Sequence, residues 1–168
     1  LDAAFADRRQ VYLFKGDSFH VVISDEDNDK HYTDQNFANI QAVTQERGIN
    51  YVLSSGGWQK LNHLDNPVLT STPATPRAAQ KAEGKLDAAI SAILRGFDGK
   101  SYIFAGDKYY DVDLGRSFAI ADVWGRSRNP IYDNETIDAA FVGRDGITYV
   151  FSGEWFVQYR SGNYVQQA

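Results

Sequence analysis

A chain of 168 residues with 43% hydrophobic side chains can bury the core of one domain, and is not a disordered tail. A net charge of −5 argues against nucleic acid as a partner, because phosphate recognition wants a basic surface. The absence of cysteine excludes disulfides, thiolate metal sites and thiol nucleophiles, and no apolar run approaches the ~20 residues a membrane helix needs. Methionine is absent too, so Leu1 reads as a cleavage site or a domain boundary, and the chain as a mature protein or a domain of a larger one. Ten Tyr, ten Phe and 14 Gly against four Pro favour β-structure with many tight turns.

In chain order, Asp2-Ala3-Ala4-Phe5 comes first, preceded by the aliphatic Leu1. Val11 to Phe14 reads as a strand, Lys15-Gly16-Asp17-Ser18 as a hairpin turn and Phe19 to Ile23 as the returning strand. The acidic run 24–30 reads as a solvated loop. Its alternating Asp25, Asp27 and Asp29 suggest a calcium loop, but an EF-hand needs Gly at Lys30 and Glu at Asn36.

A degraded second copy, Gln41-Ala42-Val43-Thr44, follows Ile40. Its strands are Tyr51-Val52-Leu53 and Trp58 to Leu61, around a turn at 54–57. Residues 66–84 hold three of the four prolines. They read as a loop and then a short helix over Arg77 to Glu83, capped by Thr75, with Pro76 at its first position and Gly84 ending it. A third copy is read at Asp87-Ala88-Ala89-Ile90 after Leu86, with strands Ser101 to Phe104 and Lys108 to Asp113. Trp124-Gly125 leads into a basic loop, Arg126 to Pro130. Asp138-Ala139-Ala140-Phe141 after Ile137 is the fourth copy, with strands Thr148 to Phe151 and Trp155 to Tyr159.

Copies at 2, 41, 87 and 138, each with room for about four short strands, have the period of β-propeller blades. The hairpins share an aromatic column at Phe19, Trp58, Tyr109 and Phe156. Small residues in the D-A-A motif suit an innermost strand where blades crowd toward an axis. The expected fold is an all-β, four-bladed propeller with short peripheral helices, one domain over 1–168, with blades over 1–39, 40–85, 86–136 and 137–168. The first and last blades look trimmed.

The D-A-A-F motif, the run Tyr102-Ile103-Phe104-Ala105-Gly106-Asp107-Lys108-Tyr109-Tyr110-Asp111-Val112-Asp113 and the Trp124-Gly125 pair resemble hemopexin-like domains. The likeness covers the whole chain. Without cysteine it is closer to plant seed or bacterial toxin-associated members than to animal ones. The resemblance implies a calcium or sodium ion in an axial channel, held by the backbone carbonyls of Asp2, Gln41, Asp87 and Asp138. An anion such as chloride would face the amides at Ala4, Val43, Ala89 and Ala140. The alternative is a channel that holds only water.

Other residues carry less. Asp17, Asp107 and Glu154 recur at one hairpin position, which turn chemistry explains. There is no serine elbow, paired-His motif or phosphate-binding Gly loop, so no catalytic residue is assigned. His20, His31 and His63 do not cluster in sequence; heme ligation by one of them competes with a plain polar role. Trp124, Arg126 and Arg128 read either as a surface contact for an anion or glycan, or as a solvated loop. Asn134-Glu135-Thr136 is a glycosylation sequon. The function expected is a non-catalytic binding module of a larger secreted or toxin-like protein, engaging a protein or a cell-surface glycan, with a homodimer as a further option. The alternative is a carrier of heme or a polyamine at the channel mouth.

Overall fold

The repeated hairpins set the architecture. In the computed structural model, which describes residues 1–6, 10–23, 30–33, 39–62, 68–126 and 128–160, each repeat builds its own antiparallel sheet. Sheet one holds β1 (Ala3–Ala6), β2 (Gln10–Lys15), β3 (Ser18–Ile23) and β4 (Lys30–Thr33). Sheet two holds β5 (Ala42–Glu46), β6 (Ile49–Ser54), β7 (Gly57–Asn62) and β8 (Val68–Pro73). After α1 (Arg77–Ala82), sheet three runs β9 (Ile90–Arg95), β10 (Ser101–Ala105), β11 (Lys108–Asp111) and β12 (Arg116–Ala119). Two short helices follow, α2 (Ile120–Val123) and α3 (Pro130–Asn134). Sheet four has β13 (Ala139–Val142), β14 (Ile147–Ser152) and β15 (Trp155–Arg160) among the described residues.

Strands pair in chain order within every sheet, so each hairpin turn fixes the register of its neighbours. Phe14 opposes Phe19, Leu53 opposes Trp58, Phe104 opposes Tyr109 and Phe151 opposes Phe156. The innermost strands contact one another in a cycle: β1 with β5, β5 with β9, β9 with β13, and β13 with β1. Their residues are small where the sheets approach most closely: Ala3, Ala42, Ala92 and Ala139 are all buried.

Four local expectations need correction. Residues 68–73 are not loop but β8. The β-branched run there pairs with β7, and Pro73 is tolerated because an outer strand needs no donor on its free side. Pro76 occupies the N-cap of α1 rather than its first position, and Thr75 does not cap it. Instead the Glu46 carboxylate on β5 accepts the Arg77 amide at 2.6 Å, a long-range cap that no local motif announces. The basic loop ends in α3, where the buried Asn129 side chain accepts from the amides of Ile131 and Tyr132 and Pro130 sits in the first turn. Sheet one is also a full four-stranded sheet rather than a trimmed one.

The core divides by sheet junction. Between sheets three and four, Leu94, Tyr102, Phe104, Tyr109, Ile131 and Val150 pack around Trp124, which is fully buried. The Trp124 ring meets Tyr102, Phe104, Tyr109 and Tyr159 edge-on at 5.1–6.1 Å between centroids. Its carbonyl accepts from the Tyr159 hydroxyl and from the Asn129 amide. Burial pushes the Tyr159 hydroxyl well above its ordinary value, opposed by the Asn129 hydrogen bond. Between sheets one and two the core is a stack of Phe5, Tyr12, Phe14 and Phe19. A smaller cluster of Ala79, Ala82, Ile93, Ile103 and Tyr110 joins α1 to sheet three. Alternation along β9 and β10 explains the split: Ala92, Leu94, Tyr102 and Phe104 face one junction, Ile93 and Ile103 the other.

Candidate functional site

All four innermost strands border one narrow void. Ala3, Ala4, Val43, Ser91, Ala92, Ala139 and Ala140 line it, and it is too tight to admit a water-sized sphere. No ionisable side chain is among them. Three of the four residues expected to face an anion, Ala4, Val43 and Ala140, therefore do meet at the centre.

The fourth does not, and the third copy of the motif is out of register. Asp87, Ala88 and Ala89 lie outside β9 and are exposed. Asp87 has a 93% exposed side chain and pairs with Lys108 at 3.5 Å. Ala89 borders a separate cleft of about 450 Å³ between sheets two and three, together with Gln41, Trp58, Gln80 and Leu86. The structural equivalent of Asp138 is Ser91. Residues 90–104 align with 137–151 without a gap, and their turns make the same bonds. Gly96 and Gly143 donate to Lys100 and Ile147, Gly99 and Gly146 donate back to Gly96 and Gly143, and Tyr102 and Tyr149 donate to Asp98 and Asp145. The letters at 87–90 match the motif, but Asp87, Ala88 and Ala89 precede the strand. The central set is thus Asp2, Gln41, Ser91 and Asp138.

Side chains at those positions do local work. The Asp2 carboxylate accepts the Gly16 amide and the Asp138 carboxylate accepts the Gly153 amide, each at 2.7 Å, so each ties its innermost strand to its own hairpin turn. Ser91 donates its hydroxyl to the Ile137 carbonyl at 2.6 Å and lies 3.3 Å from the Phe104 carbonyl, linking sheet three to sheet four. With both carboxylates engaged outward, a cation at the centre would rest on main-chain carbonyls. That donor set suits a hard ion, calcium or sodium. Among the described residues no three His, Asp or Glu side chains gather as a metal-binding group.

The remaining candidates separate. Trp124 is no surface contact: it is 0% exposed, and the aromatic cluster of sheets three and four is built on it. Arg126 and Arg128 are exposed, with the Arg128 guanidinium 5.9 Å from the Tyr132 ring centroid. His20 is exposed on β3, and the backbone register sets it opposite His31 on β4, a proximity that the sequence reading missed. His63 and the Asp25, Asp27 and Asp29 run lie outside the described residues. Asp17, Asp107 and Glu154 sit exposed in their turns. The Asn134 amide of the sequon donates to the Ser152 carbonyl and hydroxyl, bonds that an attached glycan would disturb. No described helix is long and apolar enough to cross a membrane.

No protein-family model matches the chain, and no curated protein matches it. Solved structures do. The hemopexin-fold protein CP4 from cow pea is 18% identical, with a TM-score of 0.68 over 98% of this chain and 88% of that one. A plant lectin with two metal-binding sites from Cicer arietinum is 20% identical, with a TM-score of 0.70 over 99% of this chain and 90% of that one. LS24, a seed albumin from Lathyrus sativus, is 17% identical, with a TM-score of 0.67 over 94% and 84%. The chain shares its fold with these plant proteins, the first of which is a hemopexin-fold protein.

Proposed function

We propose that the chain is a non-catalytic binding module built as a four-bladed β-propeller of hemopexin type, secreted as part of a larger protein, and that it engages a glycan or protein partner through a face of the disc. The observation that carries this reading is the cycle of contacts among β1, β5, β9 and β13 around a void lined by small residues. Four sheets held in that order leave their loops and junction clefts as the recognition surfaces. The structural likeness to a plant lectin supports a glycan as the partner class.

A calcium or sodium ion is structural in this reading. The carbonyls of Asp2, Gln41, Ser91 and Asp138 would hold it. Its charge would relieve the mutual repulsion of four oxygens brought to one axis. Where the ion is calcium, removing it with a chelator would lower the melting temperature without abolishing the sheets.

A glycan array probed with the whole chain tests the partner class. The expected result is selective binding of one glycan family that survives a change of array surface. Failure to bind any glycan, together with saturable one-to-one binding of hemin or spermine, would replace this reading with that of a small-ligand carrier.

A further inference from the structure

Sheets two and three do not close on each other as sheets three and four do. Between them lies a cavity of about 540 Å³, distinct from the central void. It is bordered by the β5–β6 turn, α1, the end of β9 and the segment after β11. Four cationic side chains line it: Arg47, Arg77, Lys81 and Arg95. All four are exposed at its rim and walls. Two carboxylates line it as well, Glu46 and Asp113. Both already accept backbone amides, Glu46 from Arg77 at 2.6 Å and Asp113 from Ser101 at 3.3 Å. Among the described residues, no ion pair joins any of the four cations to a carboxylate.

This concentration of positive charge runs against the chain's net −5. It is not a product of the repeat. At the position of Arg95, the other innermost strands carry Ala6, Gln45 and Val142. Arg47 occupies the turn at φ 52°, a left-handed conformation in which a long side chain is uncommon. Like charges that share a cleft repel one another, and a bound anion would relieve that cost.

We propose that this cavity binds a small molecule carrying two or more negative charges as phosphate or sulfate groups, with Arg47, Arg77, Lys81 and Arg95 as its cationic ligands. The guanidinium fork matches a tetrahedral oxyanion through paired N–H donors, which a single chloride or carboxylate uses less fully. The cavity volume falls within the range of small-molecule sites, so the charged group would be carried on a larger body. A phosphorylated metabolite and a sulfated sugar share this chemistry. The inference is independent of the axial ion and of the partner proposed above.

Isothermal titration of the whole chain decides it, with inorganic pyrophosphate, a disulfated disaccharide and its unsulfated counterpart as separate probes in about 50 mM salt, where exposed charges are weakly screened. The expected result is saturable one-to-one binding of at least one anionic probe and none of the unsulfated sugar. Binding of pyrophosphate alone assigns a phosphate compound, and binding of the disaccharide alone a sulfated sugar. Arg95→Ala and Arg47→Asn, the latter chosen because Asn tolerates the left-handed turn, should each weaken binding by about tenfold. Arg116→Ala, outside the cavity, should leave it unchanged. No saturable binding of either anionic probe would overturn the proposal, as would equal binding of the unsulfated sugar or an equal loss in Arg116→Ala. If Arg95→Ala loses its native circular dichroism, Arg47→Asn alone decides. A negative glycan array beside a positive pyrophosphate titration would separate this site from the partner-binding reading.

Discussion

The two junctions flanking sheet three differ in kind. Toward sheet four, α2 and α3 insert and the space fills with Trp124 and its ring of aromatic neighbours. Toward sheet two, the single helix α1 contributes only Ala79 and Ala82 to the core, and open clefts remain around it. The same two strands, β9 and β10, serve both sides through their alternation. One face of the repeat is filled by aromatic packing, and the other keeps open clefts.

The largest effect that breaks this contrast is Trp124→Ala. Removing a fully buried indole that touches four aromatic rings should cost about 3–5 kcal/mol in urea unfolding. A loss below about 1 kcal/mol would show that the junction is not packed around this ring. Gly125→Ala comes next. A Cβ there would lie 2.6 Å from the Tyr132 backbone, so α3 must shift, at about 1–3 kcal/mol. An unchanged melting curve would mean that α3 is not held against the Trp124 segment.

On the other side of sheet three, Glu46→Ala removes the cap of α1 and should cost about 1 kcal/mol. Glu46→Gln, which retains an acceptor oxygen, should recover part of that loss. Tyr109 gives the smallest and most specific effect. Burial, aided by the Asp111 charge, pushes its hydroxyl from 10.0 up to about 12. The folded state therefore holds this proton more tightly than the unfolded state does. The resulting stability is fully present below pH 10 and is lost as pH rises toward 12. Tyr109→Phe should flatten the alkaline limb of the stability profile, and an identical limb in the variant would contradict the assignment.

The hairpins were legible from the sequence because each carries its own signals, an aromatic strand, a glycine turn and an aromatic return. Those signals are local, and the register follows from the turn. The third innermost strand was misread for the opposite reason. Asp87-Ala88-Ala89-Ile90 copies the letters of the motif, but Gly96, Asp98 and Gly99 fix the spacing to Tyr102 and place Ile90-Ser91-Ala92 in the strand. Aligning 90–104 with 137–151 would have exposed the error. β8 was hidden by Pro73 and the prolines that flank it in sequence, and the Trp124 cluster by a neighbouring basic loop that pointed to the surface. The basic cavity had no linear signature at all. Its cations come from a turn, a helix and a strand end at 47, 77, 81 and 95, and only the packing of sheet two against sheet three unites them.

The division between a packed junction and a proposed recognising one is tested most directly by amide chemical shifts of the whole labelled chain during titrations with inorganic pyrophosphate and with the disulfated disaccharide. The account predicts that shifts concentrate at 45–49, 77–81 and 93–96, while 120–134 around Trp124 stays unmoved. Shifts of equal size in both regions, or none in either region with either probe, would contradict it.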